Sequence, residues 1–286
     1  MTLPSWLIKK TPKQKNIRKI TELLGKRNFF TVCESAKCPN IGECFSCQTM
    51  TFMILGDKCT RNCKFCAVEK KLDPCSLTLD PSEPFNVAQA AKKLNLKYVV
   101  VTSVTRDDLK DGGASQFAKT ILEIKQEIPE VKIEVLIPDF QGNTKALETV
   151  LKAEPYVLNH NVETIERLYS QVRPEANYEQ SLQVLKKSKQ INKNIYTKSG
   201  FMVGLGEKFE EVIEVLKDLR SVDCDIVTIG QYLSPSKKHF PVAEYIHPDI
   251  FKAYEEKAYQ LGFKFVASGP FVRSSYRAHE IGRIIN

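Results

Sequence analysis

The stretch Thr51-Phe-Met-Ile-Leu-Gly-Asp-Lys-Cys59-Thr-Arg-Asn-Cys63-Lys-Phe-Cys66 joins a short apolar run of strand character to three thiols on a tight loop. Outward from it, the same strand character returns in Tyr98–Thr102, Ile133–Ile137, Tyr156–Asn159, Ile195–Val203, Ile226–Ile229 and Phe263–Ala267. Segments of helical period lie between most of these runs, over Asn86–Leu94, Ser115–Ile128, Thr144–Ala153, Tyr178–Gln190, Phe209–Ser221 and Pro248–Leu261. Such alternation implies crossover connections and a parallel α/β sheet, closed or nearly closed into a barrel. A doubly wound open sheet is the alternative. Either architecture places chemistry at the C-terminal ends of the strands, and the three thiols follow the first of them.

The 286 residues are 42% hydrophobic and 27% charged, a globular balance sufficient for one large domain or two small ones. The formal charge of +8 is spread over many lysines, in runs such as Lys9-Lys10 and Lys186-Lys187. This reads as solvated helix faces, or as attraction for an acidic partner, rather than as a nucleic-acid surface. No apolar run reaches the ~18 residues of a membrane span, and the N-terminus lacks the apolar core of a secretory signal. A soluble protein of the cytoplasm, with no membrane partner, is expected. Nine cysteines in such a chain point to metal binding rather than to disulfides.

Seven of the nine lie between Cys33 and Cys66. Cys59, Cys63 and Cys66 are spaced C-x3-C-x2-C. Thiolates are soft ligands for iron–sulfur clusters and zinc, and a cubane cluster usually takes four of them. A loop that offers three leaves one iron open. The amino and carboxylate groups of S-adenosylmethionine suit that vacancy, and reductive cleavage there yields a carbon radical. The spacing resembles the radical S-adenosylmethionine superfamily, with a structural zinc knot as the alternative. Upstream, Cys33, Cys38 and Cys44 form a second triad, C-x4-C-x5-C. A second cluster is the economical reading, and a zinc site completed by Cys47 is its alternative. Cys47, Cys75 and Cys224 fit neither triad and read as buried or incidental thiols.

A wider resemblance is carried by both triads together with Thr102-Ser-Val-Thr-Arg-Asp-Asp-Leu-Lys-Asp-Gly-Gly113, Leu136-Ile-Pro-Asp139, Asn159-His-Asn-Val-Glu-Thr164, Gly200-Phe-Met-Val-Gly-Leu-Gly-Glu207 and Arg273-Ser-Ser-Tyr276. These segments resemble the lipoyl synthase family over nearly the whole chain. The resemblance implies a partial (β/α)6 barrel of the TIM type with N- and C-terminal extensions. It divides the chain into an extension over 1–48 carrying the upstream triad, a barrel over 49–270 and a tail over 271–286. Two 4Fe–4S clusters are implied. The one on Cys59, Cys63 and Cys66 binds and cleaves S-adenosylmethionine. The auxiliary one on Cys33, Cys38 and Cys44 takes its fourth ligand from a serine of the tail motif, assigned to Ser275 with Ser274 as competitor. An oxygen donor there is harder than thiolate and leaves more easily as the cluster is consumed.

The implied activity is insertion of two sulfur atoms at the sixth and eighth carbons of an octanoyl chain, with the auxiliary cluster as sulfur donor. The chain is attached to a lysine of a lipoyl carrier domain, either a glycine-cleavage H protein or a 2-oxoacid dehydrogenase E2 subunit. An electron donor such as flavodoxin or ferredoxin is a further implied partner. Holding each carbon between the adenosyl group and the cluster is a problem of positioning more than of acid–base chemistry.

Other motifs are expected to support the cofactors. Asp111-Gly112-Gly113 follows the second strand and permits close backbone approach to a ligand, or forms an ordinary turn ahead of a helix; its position favours cofactor contact through Gly112 and Gly113. By analogy with similar enzymes, Glu163 and Arg173 are candidates for the hydroxyls and carboxylate of S-adenosylmethionine. Met202, Gly204 and Gly206 end a strand where small residues admit the adenine or methionine moiety. His160 at a strand end reads as a hydrogen-bonded scaffold residue with no catalytic role. Arg273 and Arg277 flank the serines and serve either a carboxylate or solubility. The segment Lys9 to Lys19, preceded by Trp6, Leu7 and Ile8, covers the cofactor site, touches an acidic carrier or frays.

Two rival functions fit less of the sequence. A radical methylthiotransferase acting on tRNA also carries two triads, and positive charge suits RNA. It is expected to add an RNA-binding domain, and it leaves Arg-Ser-Ser-Tyr unexplained, so no nucleic-acid partner is expected here. A zinc- or iron-binding sensor has no use for a barrel with motifs after several strands.

Overall fold

Seven runs of strand character pair in chain order, each parallel to the next. They are β1 (Thr51–Ile54), β2 (Tyr98–Ser103), β3 (Lys132–Leu136), β4 (Val157–Asn159), β5 (Tyr196–Val203), β6 (Ile226–Gln231) and β7 (Phe265–Gly269). This computed structural model describes residues 3–8, 29–35, 38, 40, 43–44, 50–70, 78–276, 278 and 280–281. Helices α1 (Glu83–Lys93), α2 (Ala114–Glu127), α3 (Thr144–Lys152), α4 (Tyr178–Ile191), α5 (Phe209–Ser221) and α6 (Pro248–Gln260) run between successive strands. Among the described residues β7 and β1 do not pair, and Phe30–Thr31 lies antiparallel on the free edge of β1. The sheet is a partial barrel of strand–helix units, as the family resemblance implies; the alternation of patterns alone left a doubly wound sheet open. No helix among the described residues is long and apolar enough to cross a membrane.

Observed boundaries differ from the expected ones by a few residues, for local reasons. Helix α1 begins at Glu83 rather than Asn86, because Pro84 occupies its first turn, where a missing N–H costs nothing. Asn143 and Asn177 start α3 and α4 by accepting hydrogen bonds from the backbone N–H groups of Ala146 and Gln180.

Strands buried on both faces explain their near-continuous apolar character. On the outer face, Val99 and Val101 of β2 share a core with Ala88 and Ala91 of α1 and Phe117 and Ile121 of α2. On the inner face, Tyr98, Val100, Val157, Ile226 and Phe265 form a cluster with Ala278 and Ile281 of the C-terminal segment. That inner face also holds charge. Lys198 Nζ lies 2.8 Å from Glu134 Oε1, and both side chains are fully buried. The Glu134 carboxylate also accepts hydrogen bonds from Tyr98 Oη at 2.9 Å and Asn159 Nδ2 at 3.1 Å. Burial together with the Glu134 charge lifts the Tyr98 hydroxyl well above its ordinary pKa, so it stays a donor.

Removing one partner of such a pair leaves a buried charge without compensation. Lys198→Met is expected to cost about 3–5 kcal/mol, while the double change Glu134→Gln/Lys198→Met, which removes both charges and keeps an acceptor for Tyr98 and Asn159, costs much less. Urea unfolding of the two variants beside the parent measures the difference.

Candidate active site

The cluster loop leaves β1 through Leu55 and Gly56, both with positive φ (69° and 87°). Glu83 of α1 holds this exit, its carboxylate accepting from the backbone N–H groups of Leu55 at 2.9 Å and Gly56 at 3.3 Å. Beyond it, Thr60 donates from backbone and side chain to the Thr105 carbonyl, both at 3.0 Å. Arg61, between the first two thiols, is 6% exposed and reaches two carboxylates at once. Its Nε and Nη2 donate to Asp107 at 2.6 and 2.9 Å, and its Nη1 and Nη2 donate to Asp139 at 2.8 and 2.7 Å. Burial works against charge on each group. The paired geometry outweighs it, raising the Arg61 pKa further and holding the Asp139 carboxyl below the usual range. Downstream, Lys64 N–H donates to Val172 O at 2.9 Å, and Phe240 N–H donates to Lys64 O at 2.9 Å. The loop is tied on every side.

The upstream triad is built from the edge segment and the tail. Cys33 sits in the single helical turn Val32–Ser35, and the Cys38 N–H donates to its carbonyl at 3.0 Å. Cys44 N–H donates to Asn40 O at 2.9 Å. Asn40 Nδ2 donates to Phe271 O at 2.6 Å, and Tyr276 Oη donates to Glu43 Oε1 at 2.7 Å. Thr51 Oγ1 donates to Ser275 Oγ at 2.8 Å, while the Thr51 backbone N–H eases the burial of the Cys33 sulfur. Ser274 turns the other way and accepts from Asn161 Nδ2 at 2.6 Å.

A cavity of about 550 Å³ at the C-terminal ends of the strands joins the two regions. Its walls include Cys33, Cys38, Cys59, Cys63 and Cys66, both tail serines, and the candidate cofactor residues Glu163, Arg173 and Met202. Cys44, half-buried on its turn, does not line the cavity. Burial pushes the Cys33 thiol up to about 11 and the Cys66 thiol up to about 12, and it raises Cys63 as well. These are neutral thiols until a cation displaces their protons. Among the described residues no three His, Cys, Asp or Glu side chains close on a point small enough for one metal ion. Each loop instead supplies three soft sulfur donors, the ligand type that irons of a cluster take. The donor set therefore fits an iron–sulfur group on each loop.

Glu163 adopts φ 65° in a bridge to β5, with its N–H donating to Gly200 O at 3.0 Å and its carbonyl accepting from Met202 N–H at 2.8 Å. Burial raises its carboxyl pKa, opposed by the charge of Arg173. Arg173 Nη1 donates to Asn161 O at 3.1 Å, while its Nε is buried without a partner among the described residues. Glu207 caps the turn after β5, accepting from the N–H groups of Gly204 and Leu205.

The structure does not bring Gly112 and Gly113 to the cavity. Their lack of side chains makes room for protein instead. A Cβ on Gly113 would stand 2.3 Å from Leu55 Cδ1, and one on Gly112 would stand 2.9 Å from Phe140 Cδ1. Gly113 also precedes α2 with φ 90°. Cys224 is a fully buried thiol. Cys47, Cys75, Arg277 and the segment 9–19 lie outside the described residues. Sequence reasoning passed over Arg61, Asp107 and Asn161 as site residues; the position of Arg61 inside the cysteine spacing was the available signal.

His160 is a scaffold residue on one side only. Its Nδ1 donates to Ile137 O at 2.9 Å, and its Nε2 is buried without a partner among the described residues. Burial, reinforced by the charge of Arg173, lowers its pKa to about 4. In the native protein it is therefore neutral, with Nε2 as an acceptor beside the cavity.

A family model described as the radical SAM superfamily matches residues 53–219. The lipoyl synthase of Caldanaerobacter subterraneus subsp. tengcongensis is 60% identical over 275 residues, covering 96% of this chain and 95% of that protein. The lipoyl synthase of Aquifex aeolicus is 58% identical over 261 residues, covering 91% of this chain and 94% of that protein. In fold, the chain is similar to Streptococcus suis SuiB bound to S-adenosylmethionine, with a TM-score of 0.61, 11% identity, and 88% of this chain and 60% of that one covered.

The low pKa of His160 has a consequence for stability. Between its unfolded value of 6.5 and its native value of about 4, the unfolded chain takes a proton that the native state refuses. Stability therefore falls as pH drops through that window, by about 2 kcal/mol from pH 7 to pH 5 for this residue alone. Urea unfolding at both pH values is expected to show a drop that much larger in the parent than in His160→Gln.

Proposed function

This chain belongs to the lipoyl synthase family of radical S-adenosylmethionine enzymes, and from that premise we propose how its residues divide the work. The enzyme inserts two sulfur atoms into an octanoyl group carried on a lipoyl carrier protein, at the sixth and eighth carbons. When bound, one iron–sulfur cluster supplies the electron that cleaves S-adenosylmethionine to a hydrogen-abstracting radical, and a second supplies sulfide.

Cys59, Cys63 and Cys66 would hold the first cluster, and their number would leave a place on it for the methionine end of S-adenosylmethionine. Arg173, with a spare donor, holds its carboxylate, and Glu163 accepts from its hydroxyls. Met202 flanks the adenosyl group. Cys33, Cys38, Cys44 and Ser275 hold the auxiliary cluster. Ser275 rather than Ser274 is favoured because it shares Thr51 with Cys33, whereas Ser274 is engaged by Asn161. The carrier is a glycine-cleavage H protein or a dehydrogenase E2 subunit, and the electron comes from a flavodoxin or ferredoxin.

The observation that carries this division is the single cavity walled by thiols of both triads and by the tail serines. Its residues set both thiol loops around one space in which the substrate carbon is held, which is what a reaction of short-lived radicals requires. After anaerobic reconstitution, the parent is expected to hold roughly eight irons per chain and the Cys33→Ala/Cys38→Ala/Cys44→Ala variant about four. That variant is expected to retain S-adenosylmethionine cleavage and lose sulfur insertion. About four irons in both proteins contradicts the division.

A further inference from the structure

The C-terminal tail enters the barrel along its inner face, in a trough made by two glycines. Gly230 on β6 and Gly200 on β5 face inward on adjacent strands, and neither has the positive φ that would demand glycine. Space demands it. A Cβ on Gly230 would lie 2.2 Å from Val272 O. One on Gly200 would lie 2.4 Å from Thr228 Oγ1, 3.0 Å from Asn161 Oδ1 and 3.3 Å from Ser274 Oγ. From the trough the tail passes to Thr51 on β1, which meets Ser275, and then to Glu43, which meets Tyr276.

At the centre of this crossing is Asn161, 6% exposed, with its backbone carbonyl held by Arg173. A carboxamide nitrogen has two hydrogens to donate. One goes to Glu163 Oε1 at 3.0 Å and the other to Ser274 Oγ at 2.6 Å. Both donors are thus committed, one to the S-adenosylmethionine half of the cavity and one to the tail. The remaining atom, Oδ1, is buried without a partner among the described residues and stands over Gly200.

We propose that Asn161 is a positioning residue that pins the Arg-Ser-Ser-Tyr tail, through Ser274, to the S-adenosylmethionine half of the cavity, so that Ser275 is presented to the upstream triad. The two serines then have different work. Ser274 is the anchor, engaged by protein, and Ser275 is the ligand; this second half rests on the reading of Ser275 above. Trimming the anchor from either side releases the same turn. Asn161 also makes the two cofactor regions share one side chain, so a displaced Glu163 and a displaced tail are linked events.

Hydrogen exchange of residues 271–276, measured by mass spectrometry on the anaerobically reconstituted enzyme, tests the anchor. Asn161→Ala and Ser274→Ala are each expected to speed exchange about fivefold, the worth of one hydrogen bond. The double variant is expected to add nothing, because both changes break one interaction. Mössbauer spectra of the same samples are expected to show the auxiliary cluster altered in both single variants, toward the spectrum of Ser275→Ala. Unchanged exchange in Asn161→Ala, or additive effects in the double variant, overturns the proposal. So does a Ser274→Ala spectrum that loses the serine-bound iron while Ser275→Ala keeps it. If the Ser275→Ala spectrum matches the parent while the exchange results hold, the ligand reading fails and the anchor stands.

Discussion

The guanidinium of Arg61, locked between Asp107 and Asp139, is the contact on which the site depends. It lies within the cysteine spacing of the loop after β1 and reaches acids in the loops after β2 and β3. Three neighbouring strand ends are thereby fixed to one planar group whose donors are set by its own geometry. Burying a cation with two anions is not an economical route to stability, since desolvation opposes it. What it provides is position. The thiols on either side of Arg61 stand at a defined height above the barrel, and their distance from the opposite wall follows from the sheet.

That opposite wall is set by the inner face of the barrel. Lower down, the face is filled by apolar residues, the Glu134–Lys198 pair and the C-terminal Ala278 and Ile281. Higher up, Met53, Thr102, Leu136 and Met202 leave the cavity open, and Gly200 and Gly230 admit the tail. A barrel filled to the top with large side chains has no room for chemistry. The tail carries polar side chains into this space: its serines are hydrogen-bonded to Asn161 and Thr51 of the barrel, and Phe271 and Tyr276 on either side of them are hydrogen-bonded to Asn40 and Glu43 of the upstream turn.

The strand–helix alternation was legible because burial on both faces writes long apolar runs into strands and a 3.6-residue period into helices. The two cysteine triads stand out in the sequence because ligand spacing is local, and thiols of both line the one cavity. Asn161 and Arg61 were not, because their roles depend on partners far along the chain: Ser274 for one, Asp107 and Asp139 for the other. Gly112-Gly113 shows the converse error. A glycine pair after a strand reads as room for a ligand, but here the room is taken by Leu55 and Phe140. His160 was half legible, as a scaffold residue bonded through Nδ1, while its bare Nε2 is a property of the cavity and not of the sequence.

On the proposed division of the site, in which two thiol loops share one cavity, the inserted sulfur comes from the protein's own auxiliary cluster. Reconstituting the enzyme with heavy-isotope sulfide, removing all free sulfide, and weighing the lipoyl group formed in a single turnover on an octanoylated carrier tests this directly. Heavy sulfur at both inserted positions is the predicted result. Light sulfur at either position, supplied from solution, contradicts it.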